Sequence, residues 1–256
     1  MSLRFAAFAL SLLVWGLAER ALPRRARVDD PARRWKANLG LVAAGWAVHL
    51  LIPFALVGAA SRAEAAGVGL LHQTMLPYPL KFVLALVALD LAIYLQHRAF
   101  HWSPALWRLH AVHHSDLDLD ASSGVRFHPG ELVLSTLYKL AVVVLLGAHF
   151  AAVAVFELIL VSASIFNHSN TALPGDRFLR LLVVTPDMHR VHHSPSREET
   201  DSNFGFFLPW WDRLFRSYRA QPAEPHESMT LGLAGARDGN ALGFWRLLAR
   251  PFRSAA

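Results

Sequence analysis

The sequence predicts an all-α integral membrane protein of about four to five transmembrane helices, with a cytosolic histidine-rich helical cap. Three observations predict it. Of the 256 residues 54% are apolar, and the mean hydropathy is positive at +0.31, high for a soluble chain. Leu-, Ala- and Val-rich blocks alternate with Arg- and His-rich ones, so the charge is gathered between candidate spans. Eleven of the fourteen histidines fall between His97 and His193, most of them in spaced clusters.

Taken in order, the first apolar run, residues 4–20, is short for a bilayer that asks for about twenty residues. Arg4 and Arg20 extend it by snorkelling. The alternative of a cleaved leader is opposed by the next segment, which carries Arg20, Arg24, Arg25, Arg27, Arg33, Arg34 and Lys36. By the positive-inside rule that segment is cytoplasmic. Residues 39–60 form the second expected span, kinked at Pro53, with His49 as a packing residue. Residues 80–100 return inward and deliver the first histidines. An apolar hairpin comes next, residues 132–150 and 151–166, broken near Gly147. Residues 240–253 mix Trp, Leu and Phe with arginines, as an amphipathic helix on an anionic leaflet would. The cap is expected from residues 97–131 and 167–220, and residues 1–256 read as a single domain.

The clusters are HRAFH (His97, His101), HAVHH (His110, His113, His114), NHSN (His168) and MHRVHH (His189, His192, His193). Positions i, i+3 and i+4 of a helix share a face, so each cluster aims two or three imidazoles at one point. Neutral imidazole is the commonest metal ligand. Nine or ten of them suit two first-row ions with positions left for O2 or water, and imidazole alone does not choose among Fe, Zn, Cu and Ni. His128 is either a tenth ligand or a support, and Arg126 and Glu131 beside it form a charged brace or a solvated pair. Asp90 lies inside a span, where an ionisable group faces the bundle interior, either orienting the site or locking helices together. It shares one stripe with Tyr94, His97 and His101; Tyr94 contacts a ligand or packs. Glu157, eleven residues before His168, faces inward as a site support or a helix contact. Lys139 is expected to snorkel, and Trp210 and Trp211 to form an interfacial belt.

These motifs resemble the fatty acid hydroxylase superfamily, which includes sterol desaturase-like proteins. The likeness extends to Asp90, Tyr94 and Arg98 around the first histidine pair, Trp107 ahead of HAVHH, and the R-x-H-P-x-E element at Arg126, His128, Pro129 and Glu131. It continues through Asp201, Asn203, Phe204 and Gly205 to WWDRLFRSY, and covers roughly residues 17 to 220. It departs at Arg216-Ser217, where the family usually has Gly-Thr, so the exit turn is expected to differ. The resemblance implies a dinuclear centre, usually two Fe ions (with Zn able to occupy a purified form), and O2 as co-substrate. It implies O2-dependent hydroxylation or desaturation of a lipid C–H bond, an oxidoreductase reaction of the monooxygenase type. Asp90, Tyr94, Glu131, Glu157, Asp201 and Asn203 would support the histidines from behind.

The chain has no cysteine, which excludes disulfides, thiolate-ligated haem and cysteine-ligated iron–sulfur clusters. The net charge of +6 needs no nucleic acid, since cationic flanks of spans give the same balance and no nucleic-acid-binding signature accompanies it. With no G-x-G-x-x-G or P-loop, electrons are expected from a separate reductase. Two rival classes stand beside the oxygenase. A zinc-dependent membrane hydrolase would want a glutamate within a cluster, as in H-E-x-x-H. A divalent-metal transporter would place its site at the bilayer midplane on broken helices. The expected location is a bacterial inner membrane or an ER-type membrane, with the histidines on the cytoplasmic side.

Overall fold

The computed structural model describes residues 2–51, 55–237 and 242–253. The expected kink at Pro53 and the side chain of His49 lie outside the described residues. Among those described there is no β-strand, only one isolated antiparallel bridge between Pro23 and Thr171. The long helices are α1 (Ser2–Ala21), α2 (Pro31–Leu51), α3 (Ala55–Ala65), α4 (Tyr78–Trp102), α5 (Pro104–His114), α6 (Pro129–Leu146) and α7 (Phe150–His168). Shorter helices complete the chain: α8 (Asp176–Leu179), α9 (Pro186–His192), α10 (Arg197–Thr200), α11 (Trp210–Leu214) and α12 (Phe244–Ala249).

Proline starts several of the helices that carry or flank the histidines. Pro104, Pro129 and Pro186 each open a helix, where the missing N–H has no partner to lose. His128 caps α6 by accepting the Gly130 N–H at 3.0 Å, and Thr185 caps α9 through the Met188 N–H at 3.4 Å. The α6–α7 hairpin turns at Gly147, whose φ of 66° suits glycine. There the backbone of Gly69 presses so close that an added Cβ on that residue would sit 2.3 Å from the Gly147 Cα.

α4, α6 and α7 are each long and apolar enough to cross a membrane, the three such helices among the described residues. Their shared core, with α3, gathers Leu56, Ala60, Leu89, Ile93, Val143, Val153 and Phe156. α1 packs along α7 and occupies the expected first span, though Arg4, Glu19 and Arg20 lie within it. The second span departs from expectation. α2 starts at Pro31, and its first turns are polar because Arg34 and Asn38 are buried against the segment after α5. Three arginines of the basic segment, expected on the cytoplasmic side, make ion pairs within the protein. Arg24 pairs with Asp187 and Glu227, Arg27 with Glu19, and Arg34 with Asp116 and Asp120.

Two further expectations change. Lys139 does not snorkel; its ammonium meets Glu157 at 2.8 Å, and the other Glu157 oxygen meets Arg4 at 2.7 Å. Glu157 thereby joins α1, α6 and α7 as a helix contact. The C-terminal segment is no free amphipathic helix: Leu247 of α12 is fully buried with Ala37, Leu41 and Val112, while Trp245 and Phe252 stay exposed.

Candidate metal centre

Four elements deliver the histidines to one end of the bundle. The last two turns of α4 bring His97 and His101, and α5 brings His110, His113 and His114. α7 ends on His168, and α9 with its cap residue brings His189, His192 and His193. They form two buried groups. His97, His101, His110, His114 and His192 make one; His113, His168, His189 and His193 make the other. Within each group a ligand atom from every ring lies within 4.8 Å of all the others. Each HxxHH motif is divided between them, because adjacent residues on a helix point about 100° apart.

Ring orientation says what the groups are for. Six rings turn Nδ1 outward. His97 Nδ1–H donates to the Phe204 carbonyl at 2.9 Å, His113 to Arg126 at 3.2 Å, His168 to Ser164 at 2.6 Å and His192 to Ser202 at 2.7 Å. His110 and His101 point Nδ1 at the carboxylates of Glu131, at 2.8 Å, and Asp201, at 3.3 Å. A carbonyl only accepts, so the proton is on Nδ1 and the Nε2 lone pair faces inward. The inward atoms crowd: Nε2 to Nε2 is 3.1 Å for His97–His110 and 3.0 Å for His113–His168. Lone pair against lone pair repels unless a cation lies between, and neighbouring ligands at about 2.1 Å from one ion stand about 3 Å apart. His101 Nε2, His192 Nε2 and both nitrogens of His114 are buried with no protein partner. The donor set therefore fits two metal ions, one per group.

Electrostatics agree. Burial pushes His113, His114, His189, His192 and His193 well below the usual imidazole range, and the neighbouring rings push the same way. Neutral rings are what a metal requires. Beneath α5, burial alone would raise the Asp116 carboxyl, but the Arg34 and Arg126 guanidiniums hold it well below the carboxylate range.

The remaining candidates divide. His128 stands outside both groups: its Nε2 donates to the Leu248 carbonyl at 3.1 Å and its Nδ1 caps α6. Arg126 and Glu131 form neither a brace nor a solvated pair. Arg126 is buried and bonds Asn38, Ser115 and the Val112 carbonyl, while Glu131 holds His110. Asp90 accepts from the Trp211 indole at 2.8 Å and the Leu208 N–H at 3.2 Å, tying α4 to the segment behind the site. Trp211 is thus a hydrogen-bond partner of α4, while the Trp210 indole donates to the Leu181 carbonyl at 3.2 Å. The Tyr94 hydroxyl meets Ser217 at 2.8 Å, and its ring stacks on Phe215. Asn203, at φ 50°, clamps the turn through Met188 and Arg219.

Sequence reasoning passed over Asp212, which is fully buried. Its carboxylate accepts from Phe204 N–H at 2.8 Å, Gly205 N–H at 2.7 Å and the Ser217 hydroxyl at 2.7 Å. It holds the turn that presents the Phe204 carbonyl to His97. Burial raises the Asp212 carboxyl to about 6 against those hydrogen bonds. Arg216 adopts φ 59°, the left-handed region a glycine would take, and the Ser217 hydroxyl caps Asp212.

Comparison with known proteins covers much of the chain. The chain is 33% identical over 180 residues to an ornithine lipid hydroxylase, OlsE, of Rhizobium tropici, covering 69% of this chain and 51% of that one. It is 26% identical over 153 residues to an alkylglycerol monooxygenase of Homo sapiens, covering 58% of this chain and 32% of that one. It is 30% identical over 140 residues to a delta(7)-sterol 5(6)-desaturase of Eremothecium gossypii, covering 54% and 37%. The chain thus spans about half or less of the length of these relatives. No solved structure matches. The fatty acid hydroxylase family model matches residues 82–217, from the first turns of α4 to the Ser217 turn. By that match, which takes in all nine clustered histidines, the chain belongs to the fatty acid hydroxylase family.

Proposed function

We propose that the chain is a membrane-bound, O2-dependent lipid oxygenase that hydroxylates or desaturates a C–H bond, working with two iron ions. The observation that carries this reading is the pair of buried imidazole groups whose inward nitrogens meet one another or no protein partner at all. The named chemistry of the relatives, lipid hydroxylation, monooxygenation and desaturation, favours redox chemistry over hydrolysis or transport. In the hydroxylating case R–H, O2, two electrons and two protons give R–OH and water. Iron bound there would supply the site of O2 reduction and C–H oxidation.

The chain's own residues have separable tasks. His97, His101, His110, His114 and His192 would hold one ion, and His113, His168, His189 and His193 the other. Phe204, Ser202, Arg126 and Ser164 supply carbonyls that fix ring tautomers, and Glu131 and Asp201 do so with carboxylates. Such outer partners also raise ligand basicity. Glu131 is committed to His110, which argues against its serving as a hydrolytic base. The apolar faces of α4, α6 and α7 would keep a lipid chain within reach of the bilayer. The basic segment between α1 and α2 supports a cytoplasmic position for the site, where a separate reductase would deliver electrons.

The test expresses the full chain in membranes, measures iron per chain, and compares lipid extracts by mass spectrometry. The reading predicts about two irons and a lipid that gains one oxygen or loses two hydrogens. His114→Ala and His192→Ala should lose both iron and product. Full iron loading with unchanged product in those variants would remove them from the site.

A further inference from the structure

A second feature lies between α1 and α2, on the flank of the cap. Leu13, Gly16 and Leu17 of α1 and Trp35 of α2 line a crevice of about 430 Å³, which Arg20 and Arg27 also line. Its wall is open: a Cβ added at Gly16 would meet no atom within 4 Å. Leu13 and Leu17 are more than half exposed beside it. Arg27 is neutralised by Glu19 at 2.8 Å. Arg20 makes no hydrogen bond or ion pair among the described residues, which leaves the lining with one uncompensated positive charge. Glu19 is spoken for on both oxygens, since the second accepts the N–H groups of Ala121 and Asn170 at 3.1 Å each.

An uncompensated guanidinium above an apolar trough calls for a ligand with an anionic head and a hydrocarbon chain. Free phosphate would leave the leucines uncovered, and a neutral lipid would leave Arg20 unanswered. We propose that this crevice holds one anionic phospholipid of the surrounding bilayer, its chain along Leu13, Gly16 and Leu17 and its phosphate on Arg20. The site is distinct from the histidine groups and does not depend on the reaction assigned to them. Through Glu19 it abuts the segments that come after HAVHH and contain NHSN.

Native mass spectrometry of the full chain in detergent tests it, with phosphatidylglycerol and phosphatidylcholine of matched acyl chains as probes. One phosphatidylglycerol should be retained per chain, preferred about tenfold over phosphatidylcholine, as one charge-assisted contact would give. Arg20→Gln should level the two head groups. Gly16→Phe, filling the trough, should abolish retention of both while iron content stays at the wild-type value. Equal retention of the two lipids by wild type would overturn the proposal. So would a Gly16→Phe chain that still holds lipid, or displacement of the lipid by millimolar inorganic phosphate.

Discussion

Stripping metal from the two histidine groups should make the fold labile to mild acid. Five of the rings, His113, His114, His189, His192 and His193, lie outside the spanning helices and are held well below the usual imidazole range, first by burial and then by one another. A group whose folded pKa is depressed below its unfolded value, about 6.5 for histidine, takes its proton first in the unfolded chain. Without metal, stability therefore falls as the pH drops below about 6.5 and levels only below the folded value. At about pH 5.5 each such ring costs about 1.4 kcal/mol, or about 7 kcal/mol for the five as an upper bound. A typical domain has about 5–15 kcal/mol to lose. With metal bound, the ion must be displaced before a ring can charge, which moves the loss to lower pH. The assay is thermal melting in detergent from pH 8 down to about pH 5, with and without a chelator. The chelated protein should lose its melting transition at a pH where the loaded protein keeps it. Coincident acid profiles would refute the assignment of these rings as neutral ligands.

Three other perturbations act on particular contacts. Asp212→Ala orphans two buried N–H groups and a hydroxyl, a cost of about 3–9 kcal/mol, and frees the carbonyl that orients His97; Asp212→Asn should fall between it and wild type in melting temperature and iron content. Glu131→Ala leaves the His110 Nδ1–H without an acceptor and should weaken metal retention about 10- to 100-fold, whereas Glu131→Gln, which can still accept, should stay near wild type in a chelator titration. Arg216→Gly relieves a left-handed φ of 59° and should stabilise by about 0.5–1 kcal/mol, read as a raised melting temperature with iron content unchanged.

The nine clustered histidines were legible because helical spacing is local: i, i+3 and i+4 determine a shared face wherever the helix goes. The apolar hairpin of α6 and α7 was legible for the same reason. What escaped depends on distant chain segments. Arg34 reads as one more cation in a basic stretch, yet it is enclosed by Asp116 and Asp120, more than eighty residues away. The alternating acids after HAVHH were its only signal, and alternation is equally a mark of solvated loops. Asp212 sits in a tryptophan-rich run that composition assigns to an interface, and only the fold reveals that its acceptors face the turn beside His97. His128 misled because its neighbours in sequence are site residues, while proline at 129 places it at a helix start, where a side-chain acceptor is in demand.

His113 and His114 are consecutive, as are His192 and His193, and each couple gives one ring to each histidine group. Consecutive Cα atoms are a fixed 3.8 Å apart, so the backbone of two short helices acts as a rigid spacer between the two histidine groups, and would set the separation of any ions they hold. Tilting or melting either helix would disturb both groups together. Loading should accordingly be cooperative, with singly occupied protein scarce at every stage of an iron titration.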